Sequence, residues 1–160
     1  MTWRLPRAEY EKGKGAGNRA AFRRRVRSGS PPGVLAYVDD TPVGWCAVAP
    51  REEYVYLAHS RVLRPVDDRP VWSISCLFIA KEHRGQGLSV DLLRAAARLA
   101  GRAGATIVEG YPIIPSRDRV PAVFAWTGTL SAFLAAGFEE VARGSPSRPI
   151  VRMTIVPATR

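Results

Sequence analysis

The residues from Val71 to Pro112 constrain the fold more than any other part of the chain. VWSISCLFIA (71–80) is a long β-branched and aromatic run, apolar enough for a central strand. A polar KEHR follows, then GQGLSVDLLRAAARLAG, then ATIVEGYP (105–112), a second strand stopped by Pro112. In the middle segment Leu92, Ala96, Leu99 and Ala103 follow Leu88 at three- and four-residue intervals, with Asp91, Arg94, Arg98 and Arg102 opposite. That spacing predicts an amphipathic helix over 88–103, with Gly104 as its stop. Strand, helix and strand form one right-handed crossover unit, so the two strands should be parallel.

The flanking sequence adds antiparallel partners. GVLAYV (33–38) and PVGWCAVA (42–49) flank Asp39-Asp40-Thr41 and read as a hairpin. EEVARG and RPIVRMTIVP read as two more strands joined by SPSR. Asn18 can cap a basic helix, RAAFRRRVRS, that ends before Gly29 and Pro31-Pro32. Thr127 or Thr129 can start a short helix, LSAFLAA, with Gly137 as its C′ glycine. Segment 50–70 fits no strand and reads as a short helix and loop. Segment 113–127 is a second long connection, of a kind that often carries function. The expectation is a single α+β domain spanning residues 1–160. Its sheet should be mixed and mostly antiparallel, with one parallel βαβ pair and helices on both faces.

Composition narrows the class. Hydrophobic residues make up 46% and charged residues 24% of 160 residues, a globular mixture with enough chain for a core. No apolar run reaches the roughly 18 residues of a membrane span, and MTWRLPRAEYEKGKG has no signal-peptide core, so a cytoplasmic protein is expected. Cys46 and Cys76 lack CxxC spacing, which indicates neither zinc nor a disulfide framework; no metal is expected. The formal charge of +10 suits a phosphorylated ligand, an acidic partner or nucleic acid, but its arginines are scattered, as arginine-rich composition alone would leave them.

Chemistry concentrates at Arg84-Gly85-Gln86-Gly87-Leu88-Ser89. A helix N-terminus offers free N–H groups and partial positive charge, and glycines ahead of it let backbone approach an anion. A Walker loop would need GxxxxGK[ST], and Leu88-Ser89 supply no lysine. A dinucleotide fingerprint would need a third glycine where Val90 stands, although Glu109 lies about where a ribose-binding acid would be.

The stretch resembles the acyl-CoA motif [QR]xxGx[GA] of the GCN5-related N-acetyltransferase (GNAT) family, with Ser89 in place of the final Gly or Ala. CLFIAKEHRGQG matches that family's strand-then-loop pattern, and SAFLAAGF (131–138) its short helix ending in GF. VEGYP, PAVFAWTGT and GWCAVAPRE together resemble one bacterial subgroup. The resemblance implies the GNAT fold and acetyl-CoA as co-substrate. It places backbone groups of Cys76, Leu77, Phe78 and Ile79 along the pantetheine arm, and the N–H groups of Arg84, Gly85, Gln86, Gly87, Leu88 and Ser89 on the pyrophosphate. A backbone N–H of the splayed strand would polarise the acyl carbonyl. An amine attacks directly, so Cys76 and Ser75 read as structural.

Proton transfer is less defined. Glu109, which shares a strand face with Ile107 and Tyr111, is the candidate base, or else it orders the Tyr111–Pro112 loop. Glu52, Glu53 and the Asp67-Asp68 pair are weaker candidates for the base, of a kind more often found as solvated loop charges. The family's usual tyrosine acid falls on Phe133, which cannot donate, so either Ser131, Tyr111 or water serves, or CoA leaves unassisted. His83 and His59 read as exposed residues. Trp45, Trp72 and Trp126 read as core or pocket walls, with Trp126 assigned to the acceptor pocket. The function expected is N-acetyl transfer to a small-molecule or protein amine. A CoA-binding sensor that lost turnover is the alternative. RAAFRRRVR has too little aromatic interleaving for a nucleic-acid binder. A homodimer stays open, since family members pair in many ways.

Overall fold

The computed structural model describes residues 1–114 and 126–156. A six-stranded sheet in the order β1-β2-β3-β4-β6-β5 organises the chain. Its strands are β1 (Gly33–Val38), β2 (Thr41–Pro50), β3 (Trp72–Ile79), β4 (Ile107–Gly110), β5 (Glu139–Ser145) and β6 (Arg148–Thr154). Every neighbouring pair is antiparallel except β3 and β4, which run parallel as the crossover requires. Asp39 and Asp40 take φ of 45° and 63° at the β1–β2 turn, the left-handed pair that matches strand twist in a two-residue hairpin.

Helix α4 (Leu88–Arg102) makes the crossover and covers one face of the sheet together with α5 (Leu130–Ala136). Its buried stripe is Leu92, Leu93, Ala96, Ala97 and Ala100, so Ala103, expected on that face, is exposed. The helix rolls toward α5, and Arg94 donates to the Ala135 carbonyl at 2.8 Å. Helix α5 starts at Thr129, whose hydroxyl accepts from the Ala132 N–H at 3.4 Å, and ends at left-handed Gly137.

On the opposite face lie α2 (Ala16–Arg27), whose Phe22 meets Trp45 of β2, and α3 (Val55–His59), whose Leu57 is buried. Helix α1 (Arg7–Lys12) precedes α2 and buries no residue. Helix α2 begins earlier than Asn18, because Gly15 at φ 81° turns the chain out of α1. Asn18 instead donates its side-chain N–H to the Tyr10 carbonyl at 2.8 Å and ties the two helices together. A second apolar cluster sits on this face: Trp3, Ala49, Tyr54, Leu57, Leu63, Tyr111 and Ile150. Burying each large side chain contributes about 1.5–3 kcal/mol, which through Leu57 holds the short α3 against the sheet, whereas α1 and α2 have no buried residue. Most of the connection expected at 113–127 lies outside the described residues. Its ends are joined by the Ile113 N–H donating to the Gly128 carbonyl at 2.9 Å.

Candidate active site

Two departures from regular pairing build the site. Strands β3 and β4 pair over Trp72–Ile74 against Val108–Gly110, and among the described residues no strand pairs with β3 on that side from Ser75 onward. The parallel pair therefore opens as a V toward the C-terminal end of β3. Against β2, Ala47 pairs with Cys76 but Val48 pairs with Ile74, leaving Ser75 as an extra residue. Such a bulge breaks the alternation of side chains. Ser75 and Cys76 both face the same cavity as a result.

Beyond the V lies the glycine loop. A short 3₁₀ turn, Lys81–His83, carries the chain from β3 to Arg84. Gly85 and Gly87 have φ of 76° and 81°, and no atom stands within 4 Å of where a Cβ would be on either. Both conformations are ones an L-residue disfavours, and the space beside them is open. Arg84 donates from Nε to the Ile79 carbonyl at 2.9 Å, and Gln86 donates to the Glu82 carbonyl at 3.2 Å. These bonds hold the loop against the end of β3. Helix α4 has Gly87 as its N-cap without a side-chain cap. Among the described residues, no backbone carbonyl accepts from the N–H groups of Gly85 to Ser89. Such a terminus can receive oxygens of a pyrophosphate. His83 is half-buried beside the loop and His59 is exposed.

A cavity of about 1160 Å³ opens on the α2 side of the V. Trp3, Phe22, Trp45, Tyr54, Phe78 and Trp126 form much of its wall. The rings interlock: Phe22 meets Trp45 edge-on at 6.0 Å, and Trp3 meets Trp126 edge-on at 5.5 Å. Arg4 is the charged side chain in the wall, and it is bonded to Glu53 and to the Tyr54 hydroxyl. Trp126 also closes part of the V, since its carbonyl accepts from the Leu77 N–H at 2.6 Å. Burial pushes the Cys46 and Cys76 thiols up, away from the reactive thiolate.

Glu109 lies deeper on this face, with no solvent exposure. Arg51 donates to its Oε1 at 2.9 Å and Arg152 Nε to its Oε2 at 2.8 Å. The Tyr111 hydroxyl also donates to Oε1 at 2.6 Å, so Glu109 and Tyr111 do share a face. Arg152 continues to Asp67 at 2.7 Å, and Asp67 to Arg69 at 2.8 Å. Burial first, then the Glu109 charge, raises the Tyr111 pKa well above its ordinary value. The lining of the large cavity includes neither Glu109 nor Tyr111. A smaller cavity of about 380 Å³ has the charged residues Glu109, Arg51, Arg152 and Asp67 in its wall.

The remaining candidates separate. Ser131 is exposed on α5, 3.1 Å from the Thr129 hydroxyl. Phe133 is fully buried and meets Phe138 edge-on at 5.0 Å. Trp45 and Trp126 join the cavity wall, while Trp72 packs on the α4 side. Sequence reading did not nominate Tyr54, Phe22, Trp3 or Arg4 for the site. Each reaches the cavity from a segment whose packing on the sheet no local pattern specifies. Among the described residues, no group of three His, Cys, Asp or Glu residues is arranged to hold a metal ion.

Comparison with known proteins agrees with this fold. The structure of a ribosomal-protein-alanine N-acetyltransferase from Brucella melitensis superposes with TM-score 0.56 at 17% identity, over 86% of this chain and 77% of that one. A putative acetyltransferase from Salmonella typhimurium, solved with its cofactor acetyl-CoA, gives 0.54 at 16% identity over 89% and 78%. An aminoglycoside acetyltransferase in complex with coenzyme A and kanamycin gives 0.50 at 22% identity over 75% and 64%. These likenesses concern the fold. No curated protein matches the sequence. The sequence pattern of the acetyltransferase (GNAT) family matches residues 1–111, a span running from the N-terminal helices through the glycine loop to Tyr111, and the chain belongs to that family.

Proposed function

We propose that this protein transfers an acetyl group from acetyl-CoA to the amine of an acceptor by direct attack. The observation that carries the reading is the meeting of three features: a glycine loop with open backbone, a V between parallel strands, and an apolar cavity at its mouth. The residues fit acetyl-CoA, because Gly85 and Gly87 leave room where side chains would stand and the following N–H groups are open. When bound, acetyl-CoA supplies the acetyl thioester. The N–H groups of Gly85 to Ser89 hold its pyrophosphate, with Ser89 small enough at the last motif position to admit it, while the Arg84 N–H already donates to the Lys81 carbonyl at 3.4 Å. The backbone of Cys76 to Ile79 aligns the pantetheine arm. Trp126 must release the Leu77 N–H for that arm to reach it.

The apolar wall favours the neutral form of an amine, since burial disfavours an ammonium. Glu109 is better read as a positioning residue than as the base, because two arginines and Tyr111 occupy its oxygens. Tyr111 is committed to Glu109 and to Ser73 at 2.7 Å, which argues against it as a donor to the leaving thiolate. Ser131 points to Thr129 and is the weaker alternative to water. Tyr54, buried in the cavity wall, is the hydroxyl best situated to donate.

Calorimetry with acetyl-CoA and an amine panel read by thiol release tests this. The wild-type chain should bind, and Gly87→Glu should weaken binding at least about 30-fold by placing a like charge in the cradle. Unchanged binding in Gly87→Glu sinks the reading. Binding without thiol release from any amine would favour instead a CoA sensor, which the Trp126–Leu77 bond and Phe133 make worth testing.

A further inference from the structure

We infer that the acceptor is an amine on an apolar body of aromatic size, and that polycationic amines are poor acceptors; this rests on the acyl-transfer reading above. Four observations converge. The cavity holds about 1160 Å³, more than an acetyl group and a small aliphatic amine would fill. Its wall is ringed by Trp3, Phe22, Trp45, Tyr54, Phe78 and Trp126. Leu35 and Phe78, on the sheet side of that wall, are 51% and 55% exposed, an apolar surface that a bound apolar body would cover. No Asp or Glu among the described residues lines the cavity.

The last point bears on charge. A polycation leaves water for a protein site only where carboxylates replace its hydration. Glu53 is the acid next to the wall, and Arg4 and Arg25 both pair with it. Glu109 is taken by Arg51 and Arg152. The formal charge of +10 also repels polycations before they arrive, while it attracts the phosphates of CoA. A single amine on an aryl-bearing chain avoids both penalties, since its one charge can be shed on entry and its ring buried against the tryptophans.

The test compares 4-phenylbutylamine, n-butylamine, spermidine and kanamycin as acceptors at saturating acetyl-CoA, after calorimetry has established that acetyl-CoA binds. Burial of the ring should give 4-phenylbutylamine a kcat/KM about 100-fold above n-butylamine. Spermidine and kanamycin should fall below n-butylamine. Trp45→Ala should raise KM for 4-phenylbutylamine about tenfold while the acetyl-CoA Kd stays within about twofold, and Trp45→Phe should restore most of the loss. Preference for spermidine or kanamycin overturns the inference. So does a faster reaction with hexanoyl-CoA than with acetyl-CoA, because the cavity would then house the acyl chain. If acetyl-CoA does not bind, the acyl-transfer reading fails by itself. Quenching of tryptophan fluorescence by 4-phenylbutylamine, and not by spermidine, still decides what the cavity accepts.

Discussion

A carboxylate held without solvent exposure between two guanidinium groups has little left to offer a substrate. Glu109 pairs across the sheet with Arg152 and reaches Arg51 at the start of the β2–α3 connection, so it joins three segments far apart in sequence. Removing one member of such a buried network leaves the other charges uncompensated, at a cost of about 3–5 kcal/mol. Glu109→Gln should therefore lower stability by an amount of that order in urea unfolding, while the pH–rate profile of whatever protein folds keeps its wild-type limbs. A shifted limb would restore Glu109 as the base. Tyr111 gives a second prediction. Its folded-state pKa lies above the unfolded value near 10, chiefly through burial, so protonated Tyr111 adds stability that is present below that value. As pH rises past it, the unfolded chain ionises first and the contribution is lost. Thermal unfolding should show wild-type Tm falling more steeply above about pH 10 than that of Tyr111→Phe, with the two running parallel below about pH 9.

Elements meet here through contacts between specific residues. Gly110, the last residue of β4, leaves its Cβ position to the Phe133 ring, which would clash with an added methyl. Gly128 has the same ring at 2.9 Å. Phe133 thus wedges between the end of β4 and the chain entering α5, on the α4 side of the sheet. Gly110→Ala should cost about 1–3 kcal/mol by overpacking, and Phe133→Leu should recover part of that loss in the double variant. Additive losses in denaturant unfolding would show that the two sites do not share this packing. The bulge at Ser75 is an equal matter of elements: one extra residue in β3 turns both Ser75 and Cys76 to the cavity.

Across the whole molecule, the charge of +10 sets a field that draws anions to the exposed glycine loop. Affinity for acetyl-CoA should fall several-fold between about 0.05 and 0.5 M salt as the Debye length shrinks, and calorimetry at the two strengths measures it. At this scale too, the parts legible in sequence separate from those that were not. Strand and helix periodicity, the Asp39-Asp40 turn, the Gly137 stop and the glycine loop depend on near neighbours, so the order of the strands and the parallel pair could be read directly. Helix α1 escaped notice because RAEYEK has no apolar stripe, and α2 began early because a glycine turn, not a side-chain cap, starts it. The GNAT membership was legible for the same local reason: an anion cradle is a short run of backbone. What only the tertiary structure decided is which long-range partners each residue met. Arg51 and Arg152 converged on Glu109, Tyr54 and Phe22 joined Trp45 and Trp126 around one cavity, and Trp126 closed on Leu77. Local backbone preference acts over a few residues, whereas burial and charge pairing act between any segments that the sheet brings together.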